Sequence, residues 1–141
     1  MFKHLLIPTD GSELSEAAIQ AGMQFAKSIN AKVTGFFAMP TFLDIYGPEG
    51  VIETRRDYPK AHADRLVAVI MQAAKAADVP CETVLQTSNQ PYEAIIATAK
   101  EKGCDLILMA SNGRRGMQAF LLGSETQKVL THSKIPVLVF R

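Results

Sequence analysis

Short, almost unbroken apolar runs alternate along this 141-residue chain with segments of helical periodicity, and that alternation constrains the fold more than any other feature. Leu5-Leu6-Ile7-Pro8 is too compact for a helix and is bounded by Asp10-Gly11-Ser12, which predicts a buried first strand. Ser12 is the expected N-cap of a helix whose apolar positions Leu14, Ala18, Ala21, Phe25 and Ile29 recur at helical steps and end near Asn30. A second strand is predicted over 32–39, stopping at Pro40, with Gly35 marking close packing or the approach of a ligand. Residues 40–59 read as a long loop carrying Phe42, Ile45, Tyr46 and Ile52, either a surface flap or a ligand lid or dimer contact.

The same alternation continues to the end of the chain. A helix is predicted over 58–77, a strand over 81–85, and a helix over 92–102 stopped by Gly103. A fourth strand over 106–110, a helix from Ser124 to about His132 and a fifth strand over 136–140 complete five strands and four helices. Such a chain makes a single α/β domain over 1–141: a five-stranded parallel sheet, doubly wound and Rossmann-like, with helices on both faces and right-handed crossovers. In open sheets of this kind ligands bind beyond the carboxyl ends of the strands, where the winding switches direction. Asp10, residues 38–40 and residues 109–113 are expected to face one crevice there.

The strongest chemical signal lies between the fourth strand and the last helix. Leu108-Met109-Ala110-Ser111-Asn112-Gly113-Arg114-Arg115-Gly116, followed by Leu121-Leu122-Gly123-Ser124-Glu125-Thr126, turns an apolar strand into a glycine-bearing loop and then into a helix. Unpaired N–H groups at a helix start, the helix dipole and glycines that admit close approach together make an anion site, for which a nucleotide phosphate is the leading candidate. Arg114 and Arg115 add a local positive charge and are candidate phosphate donors, or else solvated loop charges. Ser124 is a phosphate-binding hydroxyl or a plain N-cap, and Asp10 a ligand contact or the side chain that forms its own turn. Thr126, within the first turn, either assists or is an ordinary helix threonine.

Composition sets the outer limits. A formal charge of +1 gives no global attraction to nucleic acid or to acidic membranes, so neither is an expected partner. No apolar run approaches membrane-spanning length and the start of the chain lacks a signal-like apolar core, so a cytoplasmic location is expected. Cys81 and Cys104 have neither metal nor redox spacing and are expected to be small buried hydrophobes. His4, His62 and His132 are scattered, pair with no nucleophile and are expected at the surface. No P-loop pattern and no metal-ligand cluster is present; no catalytic set is assigned, slow ATP hydrolysis is the most the chain would do, and magnesium would arrive only with a nucleotide. A receiver domain needs an acidic pair after the first strand and an aspartate ending the third, which Pro8-Thr9-Asp10-Gly11 and Thr83-Val84-Leu85-Gln86 do not supply. A dinucleotide-binding domain needs a glycine fingerprint after the first strand, where there is a single glycine.

These residues together resemble the universal stress protein family over nearly the whole chain. Ile7-Pro8-Thr9-Asp10-Gly11-Ser12 resembles that family's first strand and acidic turn, and Ser133-Lys134-Ile135-Pro136-Val137-Leu138-Val139 its closing strand. Gly113, nine residues from Arg114 to Leu122, and Gly123-Ser124 match the second half of its nucleotide motif. The motif's first glycine falls at Ala110; if that residue takes positive φ the added Cβ costs about 1 kcal/mol, and in a β conformation its methyl could still crowd a ligand. Loss of the motif marks family members that do not bind ATP, but the substitution is small and binding is expected to be retained.

The resemblance implies an adenine-nucleotide α-hydrolase-like fold and a site for ATP, or for AMP or ADP. Asp10, with Pro8 and Thr9, would lie near the ribose or the adenine edge, the Ala38 backbone would pair with the adenine, and Met109 and Ala110 would line the base or sugar. Asn112, Gly113, Arg114, Arg115, Gly116, Gly123, Ser124, Glu125 and Thr126 would surround the phosphates, largely through main-chain N–H groups. It also implies a stress-response regulatory protein and a homodimer formed through Pro136-Val137-Leu138-Val139-Phe140, whose apolar edge otherwise lies open. A nucleotide-independent dimeric interaction protein and a slow ATPase are the alternatives.

Overall fold

The computed structural model describes residues 1–39, 58–112 and 122–141. Over these residues the chain forms, in order, β1 (His4–Pro8), α1 (Glu13–Ser28), β2 (Lys32–Met39), α2 (Tyr58–Ala77), β3 (Cys81–Thr87), α3 (Pro91–Lys102), β4 (Leu106–Ala110), α4 (Ser124–His132) and β5 (Val137–Phe140). The strands build one sheet in the order β3-β2-β1-β4-β5, every neighbouring pair parallel. The doubly wound architecture expected of alternating strands and helices is therefore the observed one. Residues 40–57, which include most of the long loop, lie outside the described residues.

Strand periodicity divides the core into two layers. Leu5, Ile7, Val33, Leu106, Leu108 and Ala110 point to one face and pack under α1 and α2. Leu6, Phe36, Ile107 and Met109 point to the other and pack under α3 and α4. β1 is buried at all five positions because it is central and covered on both faces. Gly35 proves to be a packing glycine: a Cβ built there would lie 2.7 Å from Ile70 Cγ2, so α2 sits close over β2.

Helix ends follow local chemistry. Ser12 caps α1, its side chain accepting from the Ser15 N–H. Pro91 occupies the first turn of α3, and Gly103 ends it in the left-handed region at φ 72°. Two boundaries depart from expectation. β3 runs on to Thr87 as an edge strand, where Gln86 and Thr87 need no burial, and β5 begins at Val137 because Pro136 contributes only its carbonyl, which accepts from the Ile107 N–H at 2.9 Å.

His4 is not a surface residue. It is 5% exposed, its Nε2 2.7 Å from Thr34 Oγ1. It begins the central strand, and a central parallel strand buries even its polar first residue. His132 is exposed as expected, and His62 is half-buried. Cys104 is buried as expected; Cys81, on the edge strand, is only partly so.

Candidate functional site

The site at the carboxyl end of the sheet is made by strands that part. β1 and β4 are paired at Leu5↔Leu106 and Leu6↔Ile107, two residues before β1 ends and three before β4 ends. β1 and β2, by contrast, stay paired through Pro8↔Phe36. The switch in winding lies between β1 and β4, so the crevice opens where an α/β sheet is expected to bind.

Beyond β1 the chain makes a tight turn. The Thr9 N–H donates to the Phe36 carbonyl at 2.8 Å, and Thr9 Oγ1 accepts from the Gly11 N–H at 3.2 Å. Ser15 Oγ donates to the Ser12 carbonyl, so the proton between Thr9 Oγ1 and Ser15 Oγ, 2.9 Å apart, comes from Thr9. Asp10 Oδ1 accepts from the Ser12 N–H at 2.9 Å, and Gly11 takes φ 81° between them. Thr9 is buried and spent on the turn, whereas Asp10 stands half-exposed at the rim. The turn-forming reading of Asp10 is thus realised.

β2 contributes its main chain. The Phe36 carbonyl points toward β1, and the Met39 carbonyl accepts from the Ser88 N–H on the β3 side. Backbone groups alternate sides along a parallel strand. The N–H and C=O of Ala38 therefore face the β1 edge, beyond the point at which β1 has turned away.

The far wall is the end of β4 with the first turn of α4. The Ser111 N–H donates to the Phe140 carbonyl at 2.7 Å, and the Ser111 carbonyl accepts from the Gly123 N–H at 2.7 Å. Buried Thr126 donates its hydroxyl to the Ala110 carbonyl at 2.9 Å. Gly123, not Ser124, is the N-cap; among the described residues no side chain caps this helix, and the Ser124 hydroxyl is exposed at its first position. The plain N-cap reading of Ser124 therefore fails.

Glu125 is committed elsewhere. Its Oε2 accepts from the Tyr92 N–H at 2.9 Å, in the first turn of α3, and its Oε1 lies 3.5 Å from Lys128 Nζ. Lys128 in turn sits 5.5 Å over the Tyr92 ring, and His132 lies against the same ring at 5.3 Å. The Tyr92 phenol donates to Glu93, and that bond raises its pKa. The carboxylate thus turns toward α3 and leaves only the main chain of Glu125 for the crevice. Sequence reasoning did not reveal this bond, which joins residues 33 apart.

Ala110 settles one question of fit. Among the described residues the non-glycine positions with positive φ are Asn30 and Asp78, so the alanine carries no left-handed strain. Its methyl is part of the buried cluster under α1, and the residue is 7% exposed. Met109 is buried against the opposite layer, Pro8 is buried at the end of β1, and Asn112 is half-exposed. Gly113, Arg114, Arg115 and Gly116 lie outside the described residues. Among the described residues no group of three or more His, Cys, Asp and Glu is placed to hold a metal, and no helix is long and apolar enough to cross a membrane.

Comparison with known proteins agrees with this architecture. The model of the universal stress protein family matches residues 1–141. Universal stress protein YxiE of Bacillus subtilis is 32% identical, with all of both chains covered. A universal stress protein crystallised with cAMP superposes at a TM-score of 0.74 with 24% identity, covering 99% of this chain and 97% of the other. The universal stress protein of Archaeoglobus fulgidus in complex with dAMP superposes at 0.72 with 15% identity, covering 100% and 98%.

Proposed function

The chain belongs to the universal stress protein family, and from that membership we propose that it binds an adenine nucleotide, ATP or its mono- or diphosphate, as a stress-response regulatory protein. The observation that carries this reading is the parting of β1 from β4 beside the first turn of α4, which no described side chain caps. Helix-start N–H groups and the Ser124 hydroxyl suit phosphate oxygens. The Ala38 main chain, turned toward the open edge of β2, suits the edge of an adenine. Family relatives crystallised with cAMP and dAMP support the same class of ligand. Ala110 fits the site, because its backbone is unstrained and its methyl belongs to the core.

Within this reading Asp10, with Pro8 and Thr9, borders the sugar and Met109 lies under the base. Asn112, Gly113, Arg114, Arg115 and Gly116 complete the phosphate loop with Gly123, Ser124, Glu125 and Thr126. Thr126 acts as the tie that holds the helix start against β4. No residue is assigned to catalysis; hydrolysis is slow at most, and magnesium accompanies the nucleotide. A cytoplasmic setting suits the two free thiols.

The same reading includes a homodimer through residues 136–140. β5 is an edge strand bonded on one side, with Leu138 42% exposed in its middle. Leu138→Lys is expected to yield a monomer by sedimentation at micromolar concentration, and an unchanged mass removes β5 from the interface.

Nucleotide released by heat from freshly purified protein, identified by mass spectrometry and paired with calorimetric titration of ATP in magnesium buffer, tests the site. Recovered adenine nucleotide with saturable binding is the expected result. No nucleotide and no binding heat at millimolar ATP would leave the nucleotide-independent dimer as the function.

A further inference from the structure

α3 begins without a cap of its own. Its N-cap residue, Gln90, makes no side-chain bond to the helix start, and Pro91 has no N–H to satisfy. The N–H groups of Glu93 and Ala94 reach the Gln90 carbonyl at 3.1 and 3.3 Å. That leaves the Tyr92 N–H, which donates at 2.9 Å to the carboxylate of Glu125 in the first turn of α4. One helix start is thus capped from another, between residues 33 apart in the chain.

The same side of α4 grips Tyr92 twice more. Lys128 Nζ sits 5.5 Å over the tyrosine ring, and the His132 ring lies 5.3 Å from it. Glu125, Lys128 and His132 recur at helical steps and make one stripe. Lys128 also lies 3.5 Å from the second carboxylate oxygen of Glu125. The next residue in that first turn, Thr126, bonds the Ala110 carbonyl. The start of α4 is therefore held twice by side chains, to α3 through Glu125 and to β4 through Thr126, although its N-cap, Gly123, has no side chain.

A carboxylate in the first turn of a helix ordinarily has another use. The partial positive charge of the helix start draws it to the N–H groups of its own helix. There it would compete with a phosphate for the same donors. The bond to Tyr92 takes it away from them.

We infer, resting on the proposed nucleotide reading, that Glu125 is a positioning residue for the phosphates: its bond to Tyr92 fixes the first turn of α4 and holds the protein's own anion off the N–H groups that phosphate oxygens take. The carboxylate need not touch the nucleotide. Its charge still opposes the phosphates, so charge and tie act in opposite directions, and three substitutions separate them. Glu125→Gln keeps the reach and the acceptor but drops the charge. Glu125→Ala drops both. Glu125→Asp keeps the charge, is one carbon shorter, and returns the carboxylate to its own helix start.

Amide exchange by NMR on nucleotide-free protein tests the tie. The Tyr92 N–H is expected to exchange about 5-fold or more faster in Glu125→Ala than in Glu125→Gln, and in Glu125→Asp than in wild type. Equal exchange within each pair overturns the tie, whatever the nucleotide does. Calorimetry at a temperature where all four proteins are folded tests the positioning. Wild type that takes up no ATP defeats the nucleotide reading and the positioning role with it, and a tie seen by exchange is then structural only. Where wild type binds, Glu125→Ala is expected to bind ATP roughly 5-fold more weakly than Glu125→Gln, and Glu125→Asp roughly 5-fold more weakly than wild type, with adenosine bound alike by all. Each pair is matched in charge, so the loss reports the tie. Equal ATP affinity within each pair, or an equal loss for adenosine, overturns the positioning role and leaves the nucleotide site standing. If the alanine variant does not fold, the aspartate and wild-type pair decides.

Discussion

The two ends of the sheet are built on opposite plans. At the amino end side chains tie neighbouring segments together: Asp105 accepts from two backbone N–H groups, and Thr34 contacts both His4 and Glu82. At the carboxyl end main-chain bonds from Gly123 to Ser111 and from Ser111 to Phe140 join the elements beside local side-chain ties such as Thr126 to Ala110, and two strands separate. The difference teaches where ligand binding can reside. An end whose polar groups are mutually satisfied gains stability and has nothing left to offer, whereas an end that leaves backbone groups beside a gap keeps them for a ligand.

The largest expected effect breaks the open end alone. Gly123→Val should reduce nucleotide affinity about 100-fold or more in calorimetry, while the Tm moves little. Gly123 has φ −61° and ψ 154°, a conformation open to any residue, so the loss would report crowding of the ligand and not backbone strain. Unchanged affinity would remove α4 from the site.

Next in size is Thr126→Val, which removes the one described side-chain bond to the Ala110 carbonyl. It should cost about 1–3 kcal/mol in urea unfolding because a buried acceptor loses its partner. Affinity should fall as well, since the same bond holds the first turn of α4 against β4. A loss of stability with full affinity would show that the helix start is positioned by its backbone alone.

Asp105→Asn sharpens the comparison from the closed end. It weakens the acceptor of the Lys3 and His4 N–H groups and should cost about 1 kcal/mol while leaving nucleotide affinity unchanged. Burial opposes the Asp105 charge, but the bonds from His4 and Lys3 prevail and hold its pKa below the ordinary value. Its stabilising contribution is therefore full above about pH 4 and is lost as the pH falls through the folded pKa. Wild type should show that acid loss and the variant should lack it.

What the sequence disclosed follows the same division. Strand and helix positions were readable because burial imposes periodicity on runs such as Leu5-Leu6-Ile7 and on the stripe of α2, and because Ser12 and Gly103 carry their own backbone preferences. The crevice was readable because topology places Asp10, Ala38 and Ala110 at one end once the strand order is known. Long-range polar pairing was not. Nothing near His4 announces Thr34, 30 residues away, and Glu125 reads as a member of the phosphate loop until the fold brings Tyr92 to it. Such bonds depend on which helices become neighbours, information that no local pattern holds. The condition on which strain at Ala110 depended could not be read for a related reason: a motif gives residue spacing, whereas φ belongs to the strand that carries the residue, and here it is not positive.

Glu125→Gln is the smallest and most discriminating change, because it alters charge at the open end without altering shape. A glutamine oxygen still accepts from the Tyr92 N–H, so the start of α3 stays capped. The pairing with Lys128 at 3.5 Å is lost, but both side chains are substantially exposed and such a pair contributes a few tenths of a kcal/mol at most. What remains is the removal of one negative charge from the helix start where phosphates are proposed to lie, worth roughly 0.6 kcal/mol in all, felt by the nearest phosphate charge in near-aqueous surroundings while salt screens the farther ones. ATP should therefore bind about 3-fold tighter, with the gain shrinking in high salt, while adenosine binds as before. An equal gain for both ligands would mean that the substitution reshapes the crevice. A gain for neither would place the phosphates away from the first turn of α4, and the open end would then bind through β1 and β2 alone.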